Sequence, residues 1–161
     1  MDKTIGIFGG GQLGRMMAQA ALPLNIQCTF FEANTDCPAG VLGQVFSSQD
    51  EQGLKQFIES ADVFSLEFEN TPVADVDVLT QTKTLHPPRI ALATAQNRLS
   101  EKALFDELAI PVAPYRAVDS LESLKKAVAE LGLPIVLKTA TGGYDGKGQF
   151  VLRSEDQIDT A

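Results

Sequence analysis

Thr4-Ile5-Gly6-Ile7-Phe8-Gly9-Gly10-Gly11-Gln12-Leu13-Gly14-Arg15 is the stretch whose reading decides the fold. Its first five residues are a short apolar run with a β-branched bias, the pattern of a strand. Glycines then crowd the chain, and Met16 to Leu22 reads as a helix. Strand, glycine turn and helix in that order form the opening unit of a doubly wound α/β sheet.

Gly9, Gly11 and Gly14 satisfy the spacing G-x-G-x-x-G. Gln27 to Phe31 reads as the second strand, with Glu32 at its end. An acid there can bind a ribose, so one reading is a nicotinamide-dinucleotide domain, and with it an NAD-dependent oxidoreductase, using Gly9, Gly11, Gly14 and Glu32. The other reading is steric. A strand that enters a helix this tightly needs glycine whatever it binds.

The strand-helix alternation continues. Val45-Phe46-Ser47 is a short strand, and Asp50 to Ser60 a helix with Leu54, Phe57 and Ile58 on one face. Val63 to Asn70 reads as a strand whose period of two puts Glu67 and Glu69 on one face, opposite Leu66 and Phe68. Carboxylates at the carboxyl end of a parallel strand sit where open α/β sheets bind ligands; a solvated strand end is the plainer reading. Pro72 can start a helix to Leu79. Thr84-Leu85-His86 is a last short strand, stopped by Pro87-Pro88, and His86 reads as a structural strand-end residue.

The character changes near Pro88 to Asn97. Arg89 to Leu108 reads as helical, and Tyr115 to Val118 as a strand. Ser120 can cap a helix in which Leu121, Leu124, Val128 and Leu131 recur at helical spacing, with Gly132 as its stop. Pro134-Ile135-Val136-Leu137 then reads as a buried strand.

Lys138-Thr139-Ala140-Thr141-Gly142-Gly143-Tyr144-Asp145-Gly146-Lys147-Gly148-Gln149 follows. Four glycines bracketed by two lysines can fold backbone amides and ammonium groups over a polyphosphate. No Gly-Lys-Ser/Thr occurs, and the strand-like Gln149 to Leu152 follows rather than a helix, so this is not a P-loop. A hairpin connection without a ligand is the competing reading.

Composition bounds the function. The chain has 161 residues, enough for one ordinary domain or slightly more, and 44% of them are hydrophobic, which fits a packed core. Thirteen basic against 21 acidic residues give a net charge of -8, which argues against non-specific nucleic-acid binding. A local basic site for a phosphorylated metabolite is compatible with it. Two cysteines, Cys28 and Cys37, are too few for a disulfide framework, and the lone His86 excludes a histidine-rich metal site. No signal peptide and no membrane-spanning apolar run is evident, so the expectation is a cytoplasmic protein.

Taken together, four motifs resemble the ATP-grasp superfamily and, within it, the 5-(carboxyamino)imidazole ribonucleotide synthase family. They are Gly9 to Arg15; Glu67-Phe68-Glu69-Asn70; Gln96-Asn97-Arg98 with Lys102 and Phe105; and Lys138 with Thr141 to Gln149. The last, in order and spacing with the others, is the specific one.

The resemblance implies an α/β fold. Residues 1–96 would form a Rossmann-like pre-ATP-grasp domain with a parallel sheet, and 97–161 the incomplete start of an ATP-grasp domain. It implies a carbon–nitrogen ligase of purine biosynthesis, in which ATP and bicarbonate carboxylate 5-aminoimidazole ribonucleotide through carboxyphosphate. Other ATP-grasp carboxylases or ligases remain an alternative, as does a non-catalytic nucleotide-sensing module. Arg98, Lys138, Gly143, Tyr144, Asp145, Gly146, Lys147, Gly148 and Gln149 correspond to residues that contact ATP. Tyr144, Asp145 and Lys147 are the implied catalytic group. Gln12, Leu13, Glu67, Glu69, Tyr144 and Lys147 correspond to the substrate side, with the start of the first helix offering free backbone donors.

No metal ligand is assigned within the chain, because the family places its Mg-binding acids in a later lobe, beyond residue 161. The chain is expected to be the N-terminal portion of a longer enzyme, a homodimer when full length and inactive as a piece. Ser154-Glu155-Asp156-Gln157 has the form of a capping box, the start of a helix, and the region after Gln149 is expected to fray.

Overall fold

A computed structural model describes residues 3–143 and 147–160. Contacts divide the chain into two compact units, Met1–Ala93 and Thr94–Ala161.

The first unit is a five-stranded sheet, β1 (Lys3–Phe8), β2 (Ile26–Glu32), β3 (Gln44–Ser47), β4 (Val63–Leu66) and β5 (Thr84–His86), in spatial order β3-β2-β1-β4-β5. Every pairing is parallel. Parallel strands need crossovers, supplied here by α1 (Gln12–Ala21), α2 (Gly53–Glu59) and α3 (Val73–Leu79). Neighbouring residues of one strand enter opposite cores. Ile7 and Phe30 pack with Ala18 and Ala21 of α1. Phe8 and Phe31 pack with Phe57 of α2 and Val76 and Leu79 of α3. Both faces of the sheet are therefore covered, as a parallel sheet requires.

Phe57 is fully buried at the centre of the second core. Its ring lies 5.1 Å from Phe8, 5.3 Å from Phe31 and 5.1 Å from Phe64, edge-on to two of them and stacked on the third. These separations lie in the range where aromatic pairs attract beyond their area burial.

Two elements of this unit are shorter than expected. α2 begins at Gly53 rather than Asp50 because the Asp50 carboxylate accepts the Gln52 amide at 2.9 Å and its carbonyl accepts the Gly53 amide at 2.9 Å. That local turn competes with the helix. β4 stops at Leu66, not Asn70. Glu67 and Glu69 consequently do not share a strand face.

The second unit is built on α5 (Arg98–Glu107), α6 (Leu121–Leu131) and an antiparallel pair, β6 (Ile135–Lys138) with β7 (Gln149–Leu152). Its core is Leu124 and Val128 of α6 with Leu152 and Ile158. Ser120 caps α6 in a reciprocal box with Ser123. The long helix expected over 89–108 is two helices, α4 (Arg89–Ala95) and α5. Asn97 is extended between them, and its side chain accepts the amides of Leu99 and Ser100. Asparagine favours that N-cap geometry over a helix interior.

Residues 115–118 form no strand among the described residues. Their side chains strap the connection to the helices instead. Tyr115 donates to Asp106 of α5 at 2.7 Å, and Arg116 pairs with Glu130 of α6 at 2.6 Å. β6 is not a buried strand: Val136 is 50% exposed, because a two-stranded sheet covers only the face turned to α6. The expected frayed end is packed. Leu152 and Ile158 are buried, and Glu155–Thr160 is a 3-10 segment. Where the anticipated capping box would bond the Ser154 amide, the Gln157 side-chain oxygen instead accepts the Arg153 amide at 2.8 Å. No helix among the described residues is long and apolar enough to cross a membrane.

Candidate functional site

Two sequence-selected regions carry the chemistry, one in each unit. In the first unit the glycine turn joins β1 to α1. The Glu67 carboxylate, reaching from the end of β4, accepts the Gly11 amide at 2.8 Å and the Leu13 amide at 3.1 Å. The Glu32 carboxylate, at the end of β2, accepts the Gly10 amide at 3.1 Å and the Ala33 amide at 2.8 Å. Glu67 thereby satisfies two donors at the start of α1, and both acids bring negative charge near its positive end.

The glycines fit this arrangement. A Cβ on Gly14 would stand 2.8 Å from the Gly9 carbonyl oxygen, too close for any side chain. The spacing therefore records a tight turn that wraps a carboxylate. In a dinucleotide site, the same amides would have to face a pyrophosphate and Glu32 a ribose. Here the amides of Gly10, Gly11 and Leu13 are engaged by the chain's own acids, which speaks against the nicotinamide reading. Of the expected free donors at the start of α1, the Leu13 amide is taken by Glu67. Gln12 and Leu13 themselves are exposed, as is Glu69, one turn past the strand end.

In the second unit, Arg98 and the glycine loop form one assembly. The Arg98 guanidinium donates to the carbonyls of Thr139 (2.8 Å), Gly142 (2.8 Å) and Gly143 (2.9 Å). Its backbone amide donates to the Ala140 carbonyl at 2.8 Å, and Asn97 bridges Thr141. The loop closes on itself where the Thr139 amide donates to the Gly148 carbonyl at 2.9 Å. Gly143 has φ +69°, and a Cβ there would meet the Lys147 carbonyl at 2.6 Å, so this position takes no other residue without strain.

Lys138 is exposed at the end of β6, opposite Gln149 of β7, and Lys147 is exposed on the returning side. Gly148 and Gln149 complete that side. Tyr144, Asp145 and Gly146 lie outside the described residues, so the catalytic assignments to Tyr144 and Asp145 stay as expectations. Two roles escaped the sequence. Glu32 stands at a strand end, the position that suggested a ribose, yet it caps the turn. Arg98, matched to a nucleotide contact, also organises the loop. The asparagine before it was a visible N-cap, but nothing local foretold contacts 41 to 45 residues away.

No group of three His, Cys, Asp or Glu side chains among the described residues is placed to hold a metal ion. Away from both regions, burial pushes the Cys28 thiol up from its ordinary value. The Arg89 guanidinium, bonded to Asp77 at 2.7 Å, holds that carboxyl below its ordinary range.

A parallel α/β unit with a self-capped glycine turn is followed by a hairpin whose glycine loop is held by an arginine, and the family matches give this order its class: an ATP-grasp architecture led by a preATP-grasp domain. Residues 1–96 match the family model of the ribonucleotide synthetase preATP-grasp domain, and residues 103–161 that of the ATP-grasp domain. The chain belongs to the ribonucleotide synthetase preATP-grasp family.

Among its relatives is the N5-carboxyaminoimidazole ribonucleotide synthase of Staphylococcus epidermidis, 38% identical over 98% of this chain and 43% of the relative. The solved ADP complex of an N5-carboxyaminoimidazole ribonucleotide synthetase superposes with TM-score 0.90 at 42% identity, over 98% of this chain and 43% of that one. The synthase of Aspergillus clavatus, solved with ADP and 5-aminoimidazole ribonucleotide, superposes with TM-score 0.85 at 28% identity, over 99% of this chain and 43% of that one. The resemblance drawn from the four motifs is thus borne out. The chain spans less than half the length of the relatives it matches.

Proposed function

We propose that the chain serves the reaction of N5-carboxyaminoimidazole ribonucleotide synthases: ATP-dependent carboxylation of 5-aminoimidazole ribonucleotide by bicarbonate, in cytoplasmic purine biosynthesis. The observation that carries this is the Arg98-held loop. With the carbonyls of Thr139 and Gly142 turned to Arg98, peptide planarity turns the N–H groups of Ala140 and Gly143 the opposite way. Amides presented in this manner suit a phosphate chain. The likeness to proteins solved with ADP supports the same ligand.

In this reading Lys138, Lys147 and the amides of Gly143, Gly148 and Gln149 bind the ATP phosphates. Bicarbonate is a poor electrophile, and ATP supplies the phosphoryl group that activates it. The charge that then accumulates needs cationic and amide donors fixed beforehand. Glu69 with Gln12 and Leu13 would meet 5-aminoimidazole ribonucleotide, the ligand of the Aspergillus relative. Glu67 would serve that side by holding the turn. Tyr144, Asp145 and Lys147 would join the loop to this second substrate. Magnesium belongs to the proposal with acidic ligands beyond residue 161, as does a homodimeric assembly.

The test is the protein encoded by the complete reading frame that contains this chain. It should release ADP only when 5-aminoimidazole ribonucleotide and bicarbonate are both present, and labelled bicarbonate should enter an acid-labile product. ADP release that ignores the aminoimidazole would sink the assignment.

A further inference from the structure

Gly10 is gripped by the end of β2 and the segment that follows it. Its amide donates to the Glu32 carboxylate at 3.1 Å, and its carbonyl accepts the Ala39 amide at 2.9 Å. A Cβ added to it would stand 2.5 Å from the Cys37 sulfur and 3.1 Å from the Glu32 Cβ, so the bare Cα lies directly against both side chains. The gripping segment is itself fixed. The second Glu32 oxygen accepts the Ala33 amide at 2.8 Å, the Gly40 amide donates to the Cys37 carbonyl at 3.0 Å, and Ala39 is fully buried.

Gly11, the next residue, has no side chain with which to cap α1. Its amide and that of Leu13 go to Glu67 instead. β2 and β4 flank β1 on its two sides, so Gly10 and Gly11 are anchored to different neighbours of their own strand. Two anchors on consecutive rigid peptides fix the direction in which the chain leaves the turn, which a single anchor does not.

We propose that Glu32, with Cys37 and Ala39, forms a collar on Gly10 and is a positioning residue for the substrate side of the site, setting how Gln12 and Leu13 are presented at the start of α1. The proposal rests on the reading that these two residues meet 5-aminoimidazole ribonucleotide. Glu32 itself touches no substrate in this scheme, since each of its oxygens accepts a backbone amide. Glutamine at this position has one acceptor oxygen for those two amides, and its NH2 must face the other N–H. The cost falls on the aminoimidazole and not on ATP, whose proposed donors belong to the second unit.

The test uses the full-length protein. Glu32→Gln should raise the KM for 5-aminoimidazole ribonucleotide at least about fivefold, with the ATP KM within about twofold. A loss of stability alone would lower the amount of active enzyme, and so the apparent kcat, without moving either KM. Gly10→Ala should raise the same KM by about tenfold, because the new methyl group displaces the sulfur. Gly10→Ala combined with Cys37→Ala should recover at least about threefold of that rise, with Cys37→Ala alone closing the cycle. Without any substrate, hydrogen exchange across Gly9 to Leu13 should quicken by about tenfold in Glu32→Gln.

Equal rises in both KMs, or a fall in kcat with both KMs unmoved, would leave Glu32 a structural role and overturn the proposal. Unchanged exchange would overturn it, as would a double variant no better than Gly10→Ala, which decides the matter should Glu32→Gln fail to fold. A wild-type protein whose ADP release ignores the aminoimidazole would defeat the functional assignment instead, and the exchange measurement, made without substrate, would still show whether the collar holds the turn.

Discussion

Glu67→Gln isolates the self-capped turn. The carboxylate accepts two backbone amides, at 2.8 and 3.1 Å, at the start of α1. Glutamine keeps the shape and one acceptor oxygen, but its NH2 must face one of the two N–H groups. Hydrogen bonds to charged groups contribute about 1.5–3 kcal/mol each, and one is lost. Removing negative charge from a helix N-terminus costs roughly a further 0.3–1 kcal/mol. The site is half-buried, so screening draws the sum toward its lower end, about 2 kcal/mol. For a unit of this size that is roughly 8–16 °C in midpoint, at about 4–8 °C per kcal/mol. Urea unfolding of the first unit, followed by far-UV circular dichroism, reads the change directly. Glu67→Ala, which removes both acceptors, should cost at least as much. A loss under about 0.5 kcal/mol for both would refute the idea that this carboxylate holds the turn.

Phe57→Ala, which empties the centre of the aromatic cluster, should cost about 3–5 kcal/mol in the same unfolding assay; a cost below about 1 kcal/mol would mean that the neighbouring rings collapse into the gap. In the full-length protein, Lys138→Met should raise the ATP KM at least about tenfold and that of 5-aminoimidazole ribonucleotide much less, as expected from losing a charge-assisted contact. Glu69→Gln should show the opposite order, weakening use of the aminoimidazole more than use of ATP, and steady-state kinetics on both substrates decides between them. Burial raises the Cys28 thiol from its ordinary value, so its neutral form contributes stability that is complete below that ordinary value and is lost as pH rises through the raised one. Alkylation mapped by mass spectrometry should label the partly exposed Cys37 well before Cys28.

Much of the architecture was legible because period and punctuation agree with tertiary need. The β1 run had to be a strand, and the glycines after it forced a turn. Ser120 and Gly132 mark the two ends of α6. What failed did so for identifiable reasons. The alternation through Glu67 and Glu69 looked like strand, but Glu67 leaves the ladder to reach the turn, and periodicity carries no information about such a partner. The apolar and aromatic bias of 115–118 suggested a strand, but a strand needs a neighbour, and the described residues offer none. The helix over 89–108 was one segment by pattern, and the break lies at a residue that prefers to cap.

The site was half legible. Residue types and spacing singled out Lys138 and the glycine loop, and the family resemblance added Arg98 to them. Which atoms of Arg98 face the loop depends on a pairing across more than forty residues, which no local window contains. Glu32 stayed ambiguous because a strand-end acid beside a glycine turn has the same sequence signature whether it meets a ribose or a backbone amide.

The self-capped turn also changes how the first unit is linked to its surroundings. A fold whose turn amides await a cofactor gains stability in proportion to the logarithm of ligand concentration, and becomes weaker when the ligand is scarce. Glu32 and Glu67 act here as permanently tethered counter-anions. Their effective concentration is set by the fold and does not change with the metabolite pool. The Gly11 and Leu13 amides are thereby satisfied before any nucleotide arrives, and none of the free energy of a later encounter is diverted to pairing them.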